Sequence, residues 1–223
     1  MVSYVARIRT GEAGQIERSA GLADSVYQRI RADIMSLKIP PDTKVSVDNL
    51  ARQLGVSQTP IREALSMLEA NGLVTKKQFS GYCTLPRMGR SQLDDLFEFR
   101  LLLEPHLAKK AAESMTHAEA KKLRKAIGED APSHDAFADF DTEFHKIIGE
   151  GAGNHLIADS LARLHIHIHI FRSCFRTEIA KEAVVEHREV SDAISKKDGR
   201  LAQATMKKHI ERSYERLRTF IKD

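Results

Sequence analysis

Four residues in this 223-residue chain have types and spacings that could do chemistry. In FADFDTEFHKIIG, Asp141 and His145 are four residues apart, so a helix would present both from one face, one turn apart. His187 and His209 lie 11 residues before and 11 residues after Asp198 in the segment KKDG. If that segment turns an antiparallel helical hairpin, the two imidazoles stand at the same height and can face each other. An aspartate and three imidazoles converging inside a bundle suit a divalent transition metal, with room left for water or a ligand carboxylate. The same residues also read as ordinary interior histidines with satisfied hydrogen bonds, and spacing alone leaves both readings open. Phe137, Phe140 and Phe144 mark apolar surface beside the first pair.

Other polar groups have plainer readings. Arg100 and Glu104 in FRLLLEP are spaced for an i,i+4 ion pair. His165, His167 and His169 in LHIHIHIF alternate as a strand would inside a helical context, and fit a polar edge of a bundle helix or a pocket lining that titrates near neutral pH. Asn154 after GAG reads as a helix N-cap. Cys83 and Cys174 form no Cys-x-x-Cys pair and read as reduced structural thiols.

The metal candidates need helices, and the second half of the chain supplies them. After Pro86 the pattern predicts six: 91–114, 116–127, 133–148, 154–175, 178–195 and 200–221. Ser91-x-x-Asp94 and Thr116-x-x-Glu119 read as capping boxes, and GEDAPS, GEGAGN and KKDG as breaks. An antiparallel helical bundle follows.

The first half reads differently. Val26, Ile30, Ile34 and Leu37 mark an amphipathic helix from residue 22, stopped by Pro40-Pro41. SVDNLARQLGVS gives a short helix capped by Ser46 and ended by Gly55. The next helix has Ser57 or Thr59 as cap, Pro60 in its first turn, Ile61, Leu65 and Leu68 inward, and Gly72 as its exit. Helix, glycine turn and helix, followed by a hairpin in LVTKKQFSGYCTL around Ser80-Gly81, make a winged helix-turn-helix. Its second helix shows Gln58, Thr59, Arg62, Glu63 and Ser66 to solvent, donors suited to phosphates and base edges. Charge agrees: residues 1–90 hold 13 Lys and Arg against 8 Asp and Glu, whereas residues 91–223 hold 22 against 23.

The stretch GVSQTPIREALSMLEANGLV followed by SGYCTL resembles the signature of the GntR family of bacterial transcription regulators. That resemblance implies a homodimer whose winged heads read a palindromic operator, with Ser57, Gln58, Thr59, Arg62, Ser80 and Gly81 at DNA-contact positions. Many members carry Arg where this chain has Gln58, and some have a basic residue where it has Asp48. The helical body resembles the FadR-like branch with an FCD-type effector domain, in its shorter VanR-like version. There the resemblance makes Asp141, His145, His187 and His209 a metal-ligand set, with zinc or nickel suited to three imidazoles and manganese also admissible. It also places Arg100 where a guanidinium can clamp the carboxylate of an organic-acid effector.

The fold expected is thus mainly α. A flexible arm (1–21) precedes a winged helix-turn-helix (22–86), a linker (87–90) and an all-helical antiparallel bundle (91–223). The function expected is ligand-modulated operator binding. A metal-dependent enzyme domain on a DNA-targeting head, or a regulator whose signal is the metal itself, are the alternatives; no dedicated nucleophile or general-base signature favours the enzyme. With 42% hydrophobic residues and 30% charged, no apolar run long enough for a bilayer, and no secretory pattern at the start, the chain reads as cytoplasmic.

Overall fold

The computed structural model describes residues 13–78, 81–127, 134–163 and 177–221. It divides into two compact units, residues 1–85 and 86–223. The 165–169 histidines, Ser80 and Cys174 lie outside the described residues.

In the first unit α1 (Ala13–Met35) packs on α3 (Gln58–Ala70), with α2 (Val47–Leu54) beside α3. The core is the period-3.6 stripe of each: Val26, Ile30 and Ile34 meet Ile61, Ala64, Leu65 and Leu68, all 4% exposed or less. Ser46 caps α2 by accepting from Asn49 N–H at 3.3 Å, and Gly55 takes the left-handed φ of 67° that lets α2 end and α3 begin. Ser57 is the N-cap of α3, although its hydroxyl makes no capping bond. The wing strands β2 (Val74–Lys77) and β3 (Gly81–Thr84) pair antiparallel. A two-residue strand, β1 (Lys44–Val45), joins the far edge of β3 to give the order β1-β3-β2.

Two expectations about the first helix are corrected. It begins at Ala13, inside the stretch read as a loose arm. Leu37 leaves the apolar face, because the chain has turned to φ 60° there and 37% of the residue is exposed.

The second unit is built on α4 (Arg90–Ser114), which packs most extensively along α9 (Gly199–Arg218) and also against α6 (His134–Gly151) and α8 (Thr177–Ser195). Helices α5 (His117–Ala126) and α7 (His155–Arg163) complete the described bundle, and α5 packs on α6 and α8. Thr116 and Glu119 form the capping box read from the sequence, and Asn154 caps α7 by accepting from Ile157 N–H at 3.2 Å. The Ser91–Asp94 box is not formed. The helix starts one residue earlier, so Gly89 N–H donates to Gln92 Oε1 at 3.1 Å and Asp94 accepts from Tyr214 instead. Between α8 and α9 the chain turns through Lys197 at φ 59°, after which Asp198 caps α9 through Leu201 N–H at 2.9 Å. None of the described helices is long and apolar enough to cross a membrane.

Candidate functional site

The α8–α9 turn sets the heights of His187 and His209, and the packing of α6 on α4 brings Asp141 and His145 to meet them. The ring centroids of His187 and His209 are 4.7 Å apart, and His145 lies 5.4 Å from each. One ring nitrogen from each of the three falls within 4.8 Å of the others. Asp141 Oδ1 stands 3.2 Å from His187 Nε2 and 4.0 Å from His145 Nε2. All four residues are 9% exposed or less. Phe144 closes one side by stacking on His187 at 4.0 Å between centroids. Phe137 is buried with it, but Phe140, placed on the same apolar surface by its spacing, is 37% exposed because it falls on the outer face of α6.

A carboxylate stands behind each of two of the rings. His145 Nδ1 lies 2.6 Å from Glu104 Oε2, and His209 Nδ1 donates to Glu186 Oε2 at 2.9 Å. A carboxylate only accepts, so in the neutral imidazole of His209 the proton sits on Nδ1 and the Nε2 lone pair is left for the interior. His187 Nε2, despite its nearness to Asp141, makes no hydrogen bond of sound geometry and is a buried polar atom without one. The inward lone pair of His209, the His145 imidazole, the orphaned His187 nitrogen and a carboxylate are the donors a borderline-soft divalent cation takes, and carboxylates behind the imidazoles are the usual support of such a site.

Burial disfavours ionisation of Glu104, but Arg100 and His145 outweigh it and hold the carboxyl well below its ordinary range. Glu186 is pulled to about 2 against its own burial, by hydrogen bonds from Arg216 and His209. Arg216 grips it with two bonds, at 2.7 and 2.8 Å. His209 is pushed down to about 4 by burial, partly offset by its bond to Glu186.

Arg100 is 2% exposed and holds Glu104 through Nε at 2.6 Å, with Nη2 at 3.4 Å from the second oxygen. The i,i+4 pair is therefore formed. Arg100 Nη2 also reaches to 3.5 Å from His145 Nε2, so the guanidinium borders the histidine cluster. Sequence reasoning named Glu104 only as Arg100's partner and missed Glu186 and Arg216. Glu186 precedes His187 in the chain yet serves His209 from the neighbouring helix, and only an i,i+4 reading of Arg212 and Arg216 opposite it could have drawn attention there.

In the first unit Gln58, Thr59 and Arg62 are exposed on α3, Ser57 caps it, and Gly81 opens β3 at φ 80°. Ser66 and Tyr82 hydroxyls, 3.3 Å apart, tie α3 to the wing.

Residues 22–83 match the family described as bacterial regulatory proteins, gntR family, and residues 95–212 match the FCD domain. The Uxu operon transcriptional regulator of Escherichia coli is 28% identical, over 91% of each chain. The uncharacterized HTH-type transcriptional regulator YcbG of Bacillus subtilis is 30% identical, over 85% of this chain and 87% of its own. The solved structure of E. coli McbR/YncC shares the fold, with a TM-score of 0.66 at 19% identity over 88% of this chain and 96% of that one.

Proposed function

This chain belongs to the GntR family of bacterial transcription regulators and carries an FCD domain, and from that premise we propose that its operator affinity is set by a small carboxylate bound at a divalent metal in the helical unit. It is a DNA-binding regulator and not an enzyme. The observation that carries the reading is the convergence of three histidine nitrogens within 4.8 Å beside Asp141, one of them buried without a hydrogen bond.

Asp141, His145, His187 and His209 hold the metal, zinc or nickel suiting the imidazoles and manganese remaining admissible. When bound, the cation supplies Lewis-acid attraction for a carboxylate oxygen. The chain's own residues do the rest. Glu186 keeps His209 Nε2 unprotonated and inward, Glu104 stands behind His145, Phe144 excludes water from the face of His187, and Arg100 contributes positive charge at the border. Arg100 serves a ligand only by sharing or exchanging its Glu104 contact, because that pair already occupies the guanidinium edge. On the DNA side Ser57, Gln58, Thr59, Arg62, Ser80 and Gly81 form the contact surface of each head, and a homodimer matches a palindromic operator. The ligand changes how the two heads are presented, a coupling of the order of 1–3 kcal/mol.

Elemental analysis of the purified chain tests this, with wild type expected to hold about one metal per chain and His187→Ala much less. Anisotropy of labelled operator, titrated with organic acids on metal-loaded protein, then reads the coupling. Wild type without metal after reloading overturns the metal reading. Operator affinity that follows chelator and metal alone, and ignores every acid, makes the metal the signal.

A further inference from the structure

The start of α3 carries a polar relay that presenting donors to DNA does not require. Asp48 Oδ1, on α2, accepts from Gln58 Nε2 at 2.6 Å, and Gln58 Oε1 accepts from Arg62 Nη2 at 3.3 Å. All three side chains are exposed, so burial does not force the arrangement. Chemistry fixes its sense. A carboxylate only accepts and a guanidinium only donates, which leaves one orientation for the Gln58 amide: its NH2 toward Asp48 and its carbonyl toward Arg62. These two bonds use one N–H and one lone pair of that amide. One N–H and one lone pair of the planar amide remain for a further partner. That donor–acceptor couple is the complement of adenine in the major groove, whose N7 accepts and whose N6 amino group donates. Gln58 is the first residue of α3, and the N-terminal residues of a recognition helix are the ones that meet base edges.

An aspartate here also has a cost. Its negative charge sits on the surface that must approach phosphates, where it opposes binding. We propose that Asp48 is a specificity-determining residue, fixing the Gln58 amide so that each head reads an A·T pair at one position of its half-site. The inference rests on α3 being the DNA-reading helix of the function proposed above. It adds a base identity, and a positioning role for a residue that need not touch DNA.

The test uses the full-length protein and a pool of random-sequence duplexes, followed by competition anisotropy on the enriched sequence and its single-base variants. Wild type is expected to enrich A·T at one symmetric position and to prefer it over G·C about tenfold. Gln58→Ala abolishes that preference. Asp48→Ala binds non-specific DNA at least as tightly as wild type, because a repelling charge is gone, but its A·T preference collapses to about twofold or less. Asp48→Asn loses the same charge yet keeps an accepting oxygen, so most of the preference survives.

Asp48→Ala with wild-type preference, or Asp48→Ala and Asp48→Asn behaving alike, overturns the positioning role while leaving Gln58 as a reader. A C·G preference that Asp48→Ala loses and Gln58→Ala keeps would make Asp48 the reader and overturn the inference. A Gln58→Ala profile unchanged at every position removes Gln58 from the base-reading surface. No enrichment by wild type defeats the DNA-reading head itself, and the inference with it.

Discussion

Acidifying the metal-free protein should cost it stability through His209 before the buried carboxylates begin to contribute. Free in an unfolded chain, this imidazole takes up its proton near the ordinary value of 6.5; in the fold, burial pushes that value to about 4 against the opposing pull of Glu186. Between those two values the unfolded chain binds more protons than the folded one. The folded state is therefore fully favoured above pH 6.5 and loses ground as the pH falls toward 4. A gap of this size, at about 1.4 kcal/mol per unit, is worth roughly 3 kcal/mol once the titration is complete. Glu186 works in a lower window that meets the first only at its acid end: its folded value of about 2 lies below the ordinary 4.5, so its contribution is present above 4.5 and drains away only beneath it. The assay is urea unfolding followed by far-ultraviolet circular dichroism, in chelator, at a series of pH values across the His209 window, on wild type and His209→Asn. Asparagine cannot titrate, so the difference between the two chains cancels the contribution of the DNA-binding unit and of every other group the substitution leaves alone. Wild type should lose roughly 3 kcal/mol relative to the variant across the window. Parallel loss in both proteins would refute the depressed imidazole and, with it, the claim that His209 is held neutral with Nε2 facing inward.

Two further outcomes follow from the DNA-binding unit. Leu65→Ala removes a fully buried side chain from the α1–α3 contact and should destabilise that unit by about 2–5 kcal/mol. Operator binding should weaken in anisotropy while metal content per chain stays at the wild-type value, and a matching fall in metal content would show that the two units do not keep separate cores. Arg62→Ala removes an exposed cation that donates to Gln58. The slope of log affinity against log salt should become shallower by about 1 if Arg62 meets a phosphate, and an unchanged slope would exclude that contact.

What the sequence revealed was whatever repeats within a helix or is written in one turn. The stripes Val26–Ile30–Ile34 and Ile61–Leu65–Leu68, the Ser46 and Thr116 caps and Gly55 were legible because each rests on neighbours three or four residues away. The spacing of His187 and His209 about Asp198 was legible for the same reason, since one tight turn relates them. Features set by distant partners were not. β1 exists only because Lys44 and Val45 pair with Cys83 and Tyr82, and a two-residue strand has no pattern of its own. Leu37 has the right spacing for the apolar face, but the helix has already ended. Ser91 has the right type for a cap, yet the true boundary lies at Gly89, where a backbone N–H and Gln92 do the work. The carboxylates behind the imidazoles escaped for a deeper reason. Glu104 reaches His145 and Glu186 reaches His209 across helix interfaces, and nothing in the local spacing of either glutamate names its histidine.

The turn at Lys196–Asp198 has a consequence for how such a chain can change length. His187 and His209 are 22 residues apart, and one residue inserted within α9 ahead of His209 would swing that imidazole by about 100° and lift it about 1.5 Å. The apolar stripe could re-form around such a slip, but the imidazole would point away from its three partners. Even an insertion of seven residues, which nearly restores the face, would carry it about 10 Å along the axis. Substitutions can accumulate freely on the outer faces of this hairpin, whereas its length is held fixed. Beyond Arg216 the constraint lifts: residues gained or lost there leave both the histidine cluster and its supporting glutamates where they are.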